Sequence, residues 1–98
     1  MEYKIDKNDS KVTVNVSGRI DTTTAPQLEE AILPELDGAT EVEIDFKDLE
    51  YISSAGLRVL LSAQKVMNQQ GAMKITNVAP EILEVFEITG FTDILTIA

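Results

Sequence analysis

Apolar residues follow two alternating spacings along this chain, and these spacings restrict its fold more than any other feature of the sequence. Every second residue is apolar in "KVTVNVS" (11–17) and in "EVEIDF" (41–46), which is typical of strands with one buried face. "EYKID" (2–6) is predicted to form a hairpin with the first of these, through a turn at residues 7–10. Two further short strands are predicted at "AMKIT" (72–76) and "TDILTI" (92–97).

The first segment with helical spacing follows "KVTVNVS". Thr24 and Gln27 resemble a capping box, in which the two side chains bond the free backbone donors of a helix start. Pro34 conflicts with a continuing helix, so we expect a kink or an end near Leu33.

The second and third helical segments have clearer ends. Residues 54–69 form the longest one, with Gly71 in the position that helix C-caps favour. Its predicted inward face consists of Val59, Leu60, Ala63, Val66 and Met67. The last helix is predicted to open at Pro80 and to stop at Gly90.

The predicted order is therefore β-β-α-β-α-β-α-β within one domain, residues 1–98. Strands that are joined through helices run parallel with right-handed crossovers, whereas the first two strands form a hairpin. Strands that are covered on both faces are continuously apolar, but the strands here alternate. We therefore predict a small single-domain α/β fold, with a mixed sheet and helices packed mainly on one face.

Histidine and cysteine are both absent, and their absence excludes more functions than any motif adds. Ser-His-Asp and Cys-His catalysis and most zinc sites need these residues. The formal net charge of −9 disfavours nucleic acid and anionic membrane surfaces as partners. Residues 1–10 lack the apolar core of a signal peptide, and no apolar run approaches membrane-spanning length. We expect a cytoplasmic protein with a protein partner and without a metal, cofactor or catalytic residue.

"DLEYISSAGLRVLL" (48–61) places two serines where a strand leads into the longest helix. Functional sites of open α/β sheets lie at such strand ends, and a helix N-terminus favours an anion. The simplest interpretation is that one serine caps the helix, worth ~1 kcal/mol over alanine. Gly56 can likewise let the helix pack closely on the sheet. A nucleophilic serine is disfavoured, because "SSAG" is not a G-x-S-x-G elbow.

Three stretches, in this order, resemble the signature stretches of STAS domains, in particular those of stand-alone bacterial anti-sigma factor antagonists. They are "GRIDTTTAPQLEEAI" (18–32), "VEIDFKDLEYISSAGLRVLL" (42–61) and "NVAPEILEVFEITGFTDIL" (77–95). The resemblance covers nearly the whole chain. In that family the loop before the second helix reads Asp-Ser-Ser/Thr-Gly-Leu. Its first serine is phosphorylated by a GHKL-type serine kinase that is itself the anti-sigma factor.

The resemblance assigns different positions to the two serines. Aligned on residues 51–52 and 56–57, the family's phosphorylated serine falls on Ser54. The family aspartate is replaced by Ser53, and the following serine or threonine by Ala55. Ser54 therefore lacks the adjacent carboxylate that would orient its hydroxyl.

The resemblance also implies a partner-switching mechanism. Unphosphorylated protein binds the anti-sigma factor and frees the sigma factor, phosphorylation at Ser54 ends this binding, and a serine phosphatase restores it. Asp21 matches an acidic family position beside the phosphorylation site, but a turn aspartate explains it as well. Arg58 is equally explained as a solvated helix residue. The implied partner-binding residues are Asp21, Thr22, Thr23, Ser53, Ser54, Ala55, Gly56 and Arg58.

Other functions remain open on the sequence. STAS domains also occur in anion transporters, in stressosomes and as subunits of lipid-transport ABC systems, where the serine is often replaced or unused. A nucleotide-binding module has little support, because G-x-G-x-x-G and a P-loop lysine are missing. An enzyme is disfavoured, because Glu41, Glu43 and Asp45 match a solvated strand face. We expect a monomer, in which the further C-terminal helix of many family members is absent or the last element is very short.

Overall fold

The computed structural model describes all residues, Met1–Ala98, which form four strands and three α-helices. In chain order these are β1 (Glu2–Asn8), β2 (Lys11–Ile20), α1 (Ala25–Ile32), β3 (Glu41–Ile52), α2 (Ser54–Met67), β4 (Ala72–Thr76) and α3 (Pro80–Thr89). Two short 3₁₀ helices, Leu33–Leu36 and Phe91–Asp93, follow α1 and α3.

The strands form one mixed sheet in the order β1-β2-β3-β4. β1 and β2 are antiparallel, whereas β2, β3 and β4 run parallel to one another. Alternate strand residues such as Val14 and Ile44 are buried, while their neighbours reach solvent. This pattern shows that helices cover only one face of the sheet. The predicted mixed sheet with helices on one face is confirmed, and one contiguous apolar core fills the space between the two layers.

β3 continues to Ile52, six residues beyond the predicted end. Its ladder with β2 shifts register twice, between Asn15 and Ser17 and again further along. Each shift places an extra β3 residue opposite β2, so the buried positions change from every second residue to every third, at Phe46, Leu49 and Ile52. A bulge redirects the side chains that follow it. The alternating pattern therefore stops at Phe46 although the strand does not, and β2 is also longer than predicted.

The predicted fifth strand is wrong. α3 stops at Gly90 as predicted, in a left-handed conformation with φ +79°, and the chain then turns into a 3₁₀ helix. The N–H groups of Ile94 and Leu95 donate to the carbonyl of Phe91, so these groups are not available to a strand ladder. Only a single parallel bridge, between Ile97 and Ile75, joins this segment to the sheet.

Two predictions about α2 and the turn after it are also wrong. Val66 is predicted to face the core, but 36% of its surface is exposed, because the buried face of α2 extends toward Leu57 and Gln64 and leaves Val66 at its opposite edge. α2 ends at Met67 with Asn68 as its C-cap, so Gly71 does not cap it. Gly71 instead permits close packing, since a Cβ there would overlap the backbone carbonyl of Thr40.

Candidate functional site

The carboxyl ends of β2 and β3 meet at one edge of the sheet. Ile20 and Ile52 are paired in register, and the N–H of Ser53 donates to the carbonyl of Ile20 at 2.8 Å. This hydrogen bond joins the loop after β2 to the start of α2, although about thirty positions separate them in the sequence. We call this region, residues 21–24 and 53–58, the serine edge. The serine edge contains every residue that the family resemblance implies for partner binding.

Asp21 organises the loop after β2. Its Oδ1 accepts hydrogen bonds from the N–H groups of Thr23 and Thr24, both at 2.9 Å. The Thr24 hydroxyl accepts one from the N–H of Asp21 at 2.9 Å and lies 3.0 Å from the carbonyl oxygen of Arg19. The N–H of Thr24, first among several contacts, holds the pKa of Asp21 below its ordinary value, because these donors favour the ionised carboxylate.

These bonds also correct the predicted start of α1. The side chain of Thr24 makes no capping bond to the helix, so the capping box with Gln27 is wrong. The Asp21 carboxylate instead bonds the backbone donors that precede the helix. The predicted end near Leu33 is confirmed, since α1 ends at Ile32. Pro34 lies in the 3₁₀ turn that follows. Thr22 and Thr23 remain exposed on the outside of the loop.

The two serines have different roles at the start of α2. Ser53 is the N-cap residue: its backbone is extended, and its Oγ accepts a hydrogen bond from the N–H of Gly56 at 3.4 Å. Ser54 is the first helical residue and is exposed, and its Oγ makes no hydrogen bond within the chain. The interpretation of a capping serine is therefore confirmed for Ser53, while the hydroxyl of Ser54 is free.

The first turn of α2 carries positive electrostatic character. It contains no acidic residue, and the N–H groups of Ser54 and Ala55 have no hydrogen-bond partner. Such unpaired donors and the helix dipole together favour a nearby negative charge. A carboxylate at position 53 would offset part of this effect, and Ser53 does not.

Within the serine edge, Gly56 is buried and does not reach the protein surface. A Cβ at this position would lie 2.6 Å from Cγ1 of Ile52 and 2.7 Å from Cγ2 of Ile20. The first turn of α2 therefore rests directly on the ends of β2 and β3. Gly56 is buried and Ala55 half-buried, so the predicted close packing of α2 on the sheet at Gly56 is confirmed. Arg58, about one helical turn after Ser54, is exposed.

Arg19 and Tyr51 form a contact that is not among the predictions made from the sequence. These residues pair across the β2–β3 ladder, and the guanidinium carbon of Arg19 lies 4.2 Å from the centroid of the Tyr51 ring. Their neighbours Ile20 and Ile52 face the helices, so this cation–π pair lies on the open face of the sheet. No sequence signal identifies the pair, because the bulges of β3 determine which residue lies opposite Arg19.

Comparison with known protein sequences connects this geometry to a family. The family model described as "Mlab, STAS domain" matches residues 3–96. The anti-sigma-B factor antagonist of Bacillus subtilis strain 168 is 33% identical, over 96% of this chain and 87% of its own length. BtrV of Bordetella bronchiseptica, a candidate anti-sigma factor antagonist, is 38% identical over all of this chain and 86% of its own length.

Solved structures show the same fold. SpoIIAA, an anti-sigma factor antagonist in its unphosphorylated form, is 18% identical with a TM-score of 0.85, over 99% of this chain and 88% of that chain. An anti-sigma factor antagonist from Mycobacterium paratuberculosis is 26% identical with a TM-score of 0.87, over 98% of this chain and 83% of that chain. None of the three helices is long and apolar enough to cross a membrane. Because the STAS family model matches residues 3–96, the chain belongs to the STAS domain family, and the sequence relatives named here bear the name anti-sigma factor antagonist.

Proposed function

We propose that this protein is an anti-sigma factor antagonist that binds an anti-sigma factor when unphosphorylated and loses that binding when Ser54 is phosphorylated. The names of its relatives support the antagonist role. One observation carries the switch: the Ser54 hydroxyl is exposed and free of intramolecular hydrogen bonds, beside the Asp21 loop. A kinase can modify this hydroxyl without breaking a bond that the fold needs.

The proposed docking surface is the exposed part of the serine edge. It comprises Asp21, Thr22, Thr23, Ser53, Ser54, Ala55 and Arg58, with Gly56 beneath them. A phosphate on Ser54 adds a charge of about −1.5 to −2. The helix start tolerates this charge, whereas a packed interface does not, because the phosphate would have to lose its hydration there. Phosphorylation therefore changes binding and leaves the fold intact.

The serine at position 53 is compatible with this switch. The capping role that an aspartate would have is taken by Ser53 Oγ. What is missing is a negative charge beside the site of modification, and its absence leaves the helix start free to stabilise a phosphate.

The partners that fit this proposal are an anti-sigma factor that is also a GHKL-type serine kinase, and a serine phosphatase that reverses the modification, all in the cytoplasm. The net negative charge of the chain favours a partner that carries a basic patch outside the contact with Ser54, because long-range attraction speeds their encounter. Neither nucleic acid nor membrane insertion nor a cofactor enters the proposal.

Mass spectrometry after incubation with the cognate serine kinase and ATP tests the modification. We expect one phosphate on Ser54, none on Ser54→Ala, and unchanged modification of the control Ser10→Ala, which lies outside the docking surface. In a parallel binding assay, Ser54→Asp is expected to weaken the complex at least about tenfold. Ser10→Asp, which adds the same charge in the β1–β2 turn, should bind like wild type. An unmodified wild type, or a phosphate elsewhere, would contradict the switch.

A second candidate function follows from the description of the matching family, which names Mlab. The same fold would then serve as a STAS subunit of a lipid-transport ABC system or of a stressosome, as an interaction module without phosphorylation. In that case both Ser54→Ala and Ser54→Asp would bind their partner like wild type. A neighbouring ABC permease gene would favour this function, and a neighbouring serine kinase gene would favour the first.

A further inference from the structure

We propose that Arg58 binds the phosphate of phosphorylated Ser54 and holds it against the surface of α2. This inference rests on the proposed phosphorylation of Ser54 and concerns what the phosphate does once it is attached. In the unphosphorylated protein Arg58 is free to contact a partner, and in the phosphorylated protein the same guanidinium is engaged within the chain. One modification would then change two features of the docking surface.

The spacing of the two residues supports this interaction. Ser54 and Arg58 are i and i+4 in α2, and side chains at this spacing are neighbours, with their Cβ atoms roughly 5–6 Å apart. Side chains on a helix lean toward its N-terminus, which favours a contact between the long Arg58 side chain and a phosphate on Ser54. An acid on the N-terminal side of a base is also the favoured order for such pairs.

The Arg58 side chain is available for this role. It is exposed, it makes no side-chain hydrogen bond, and neither ion pair of the structure includes it. Its helical neighbours, Ser54, Ala55, Leu61 and Ser62, include no carboxylate that would compete for the guanidinium. The planar guanidinium also matches two phosphate oxygens at once, which an ammonium group does not.

The other charged groups near the serine edge do not replace Arg58. Arg19 stacks on Tyr51 on the open face of the sheet, away from the helices. The carboxylate of Asp21 is bonded to the backbone of its own loop, and its negative charge opposes the phosphate. Arg58 is the one cationic residue in the first two turns of α2.

The inference is tested on protein that carries phosphoserine at position 54 by incorporation during translation. No kinase is then needed, so a failed kinase assay would contradict the proposed function without deciding this inference. Titration by ³¹P NMR gives the second pKa of the phosphate, which is ordinarily about 6. We expect this pKa to be about 0.2–0.4 unit lower in the phosphorylated wild type than in phosphorylated Arg58→Gln.

Lys65→Gln is the matched control, because it removes one positive charge from the same exposed helix almost two turns beyond Arg58. Its phosphate pKa should equal that of the wild type. Equal pKa values in Arg58→Gln and wild type would overturn the inference. A shift in Lys65→Gln as large as that in Arg58→Gln would also overturn it, since the effect would then reflect net charge alone.

The arginine side-chain NMR spectrum gives a second readout. The chain contains only two arginines, Arg19 and Arg58, so two Nε–Hε signals are expected. Phosphoserine at position 54 should shift the Arg58 signal and leave the Arg19 signal in place. An unmoved Arg58 signal would contradict a bond between its guanidinium and the phosphate.

Discussion

Gly56→Ala adds a methyl group where the start of α2 has no space for one. The new Cβ would lie 2.6 Å from Cγ1 of Ile52 and 2.7 Å from Cγ2 of Ile20, against an optimum of about 3.5–4.0 Å between carbon atoms. Ile20 and Ile52 are 0% and 3% exposed, so neither side chain can turn into solvent. Overpacking of this kind lowers the free energy of unfolding by about 1–3 kcal/mol.

A second effect of Gly56→Ala has the opposite sign. Alanine is favoured over glycine within helices by up to about 1 kcal/mol. Because both new contacts are shorter than 3 Å, we expect overpacking in the upper part of its range, about 2–3 kcal/mol. The net result is a free energy of unfolding that is lower by about 1–2 kcal/mol.

Urea unfolding followed by circular dichroism measures this change. With an m-value of about 1.5 kcal/mol per M, the urea midpoint should fall by about 1 M while m stays constant. Position 65 supplies the control, since Lys65 is exposed on the same helix. The difference between Lys65→Ala and Lys65→Gly measures helix preference without overpacking. A Gly56→Ala midpoint equal to or above that of the wild type would refute the reasoning, because Ile20 and Ile52 would then have moved aside without a cost in stability.

Two further predictions concern the residues that shape the serine edge. Ser53→Ala should lower the free energy of unfolding by about 0.5–1 kcal/mol, as measured by thermal unfolding. This loss is small for a helix cap because the hydrogen bond from the N–H of Gly56 to Ser53 Oγ is long, at 3.4 Å. Ser54→Ala should change it by much less, and an equal loss would contradict the separate roles of the two serines. For Asp21, the folded-state pKa lies below its ordinary value of 3.8. The wild type should therefore be stabilised relative to Asp21→Asn by an amount that is constant well above pH 3.8 and is lost as the pH falls through the lower, folded-state pKa. Urea unfolding of both proteins across this acid range checks it, and a difference that does not vary with pH would refute it.

Much of the fold was predictable because apolar spacing is a local property. The alternation of Val12, Val14 and Val16, and the helical spacing in residues 54–69, identify strands and helices without knowledge of any partner. The end of β3 was not predictable in this way. Leu49 and Ile52 are buried at a spacing that fits neither period, because bulges opposite β2 redirect them, and a bulge is defined only by the strand it pairs with.

The serine edge, too, was predictable only in part. Its position at the strand-to-helix junction followed from local pattern, and the place of Ser54 within it followed from the family resemblance. The sequence did not separate a capping Ser53 from a free Ser54, since adjacent serines have the same local preferences until the backbone conformation of each is set.

By itself, then, the sequence determined the order of elements, the single buried face of the sheet and the approximate location of the serine edge. Tertiary structure alone decided that Asp21 lies beside the start of α2, that Gly56 is pressed between Ile20 and Ile52, and that Arg19 stacks on Tyr51. The physical reason is that these contacts join β2 to residues more than thirty positions away. Their geometry depends on the register of the parallel β2–β3 ladder, which no local spacing encodes.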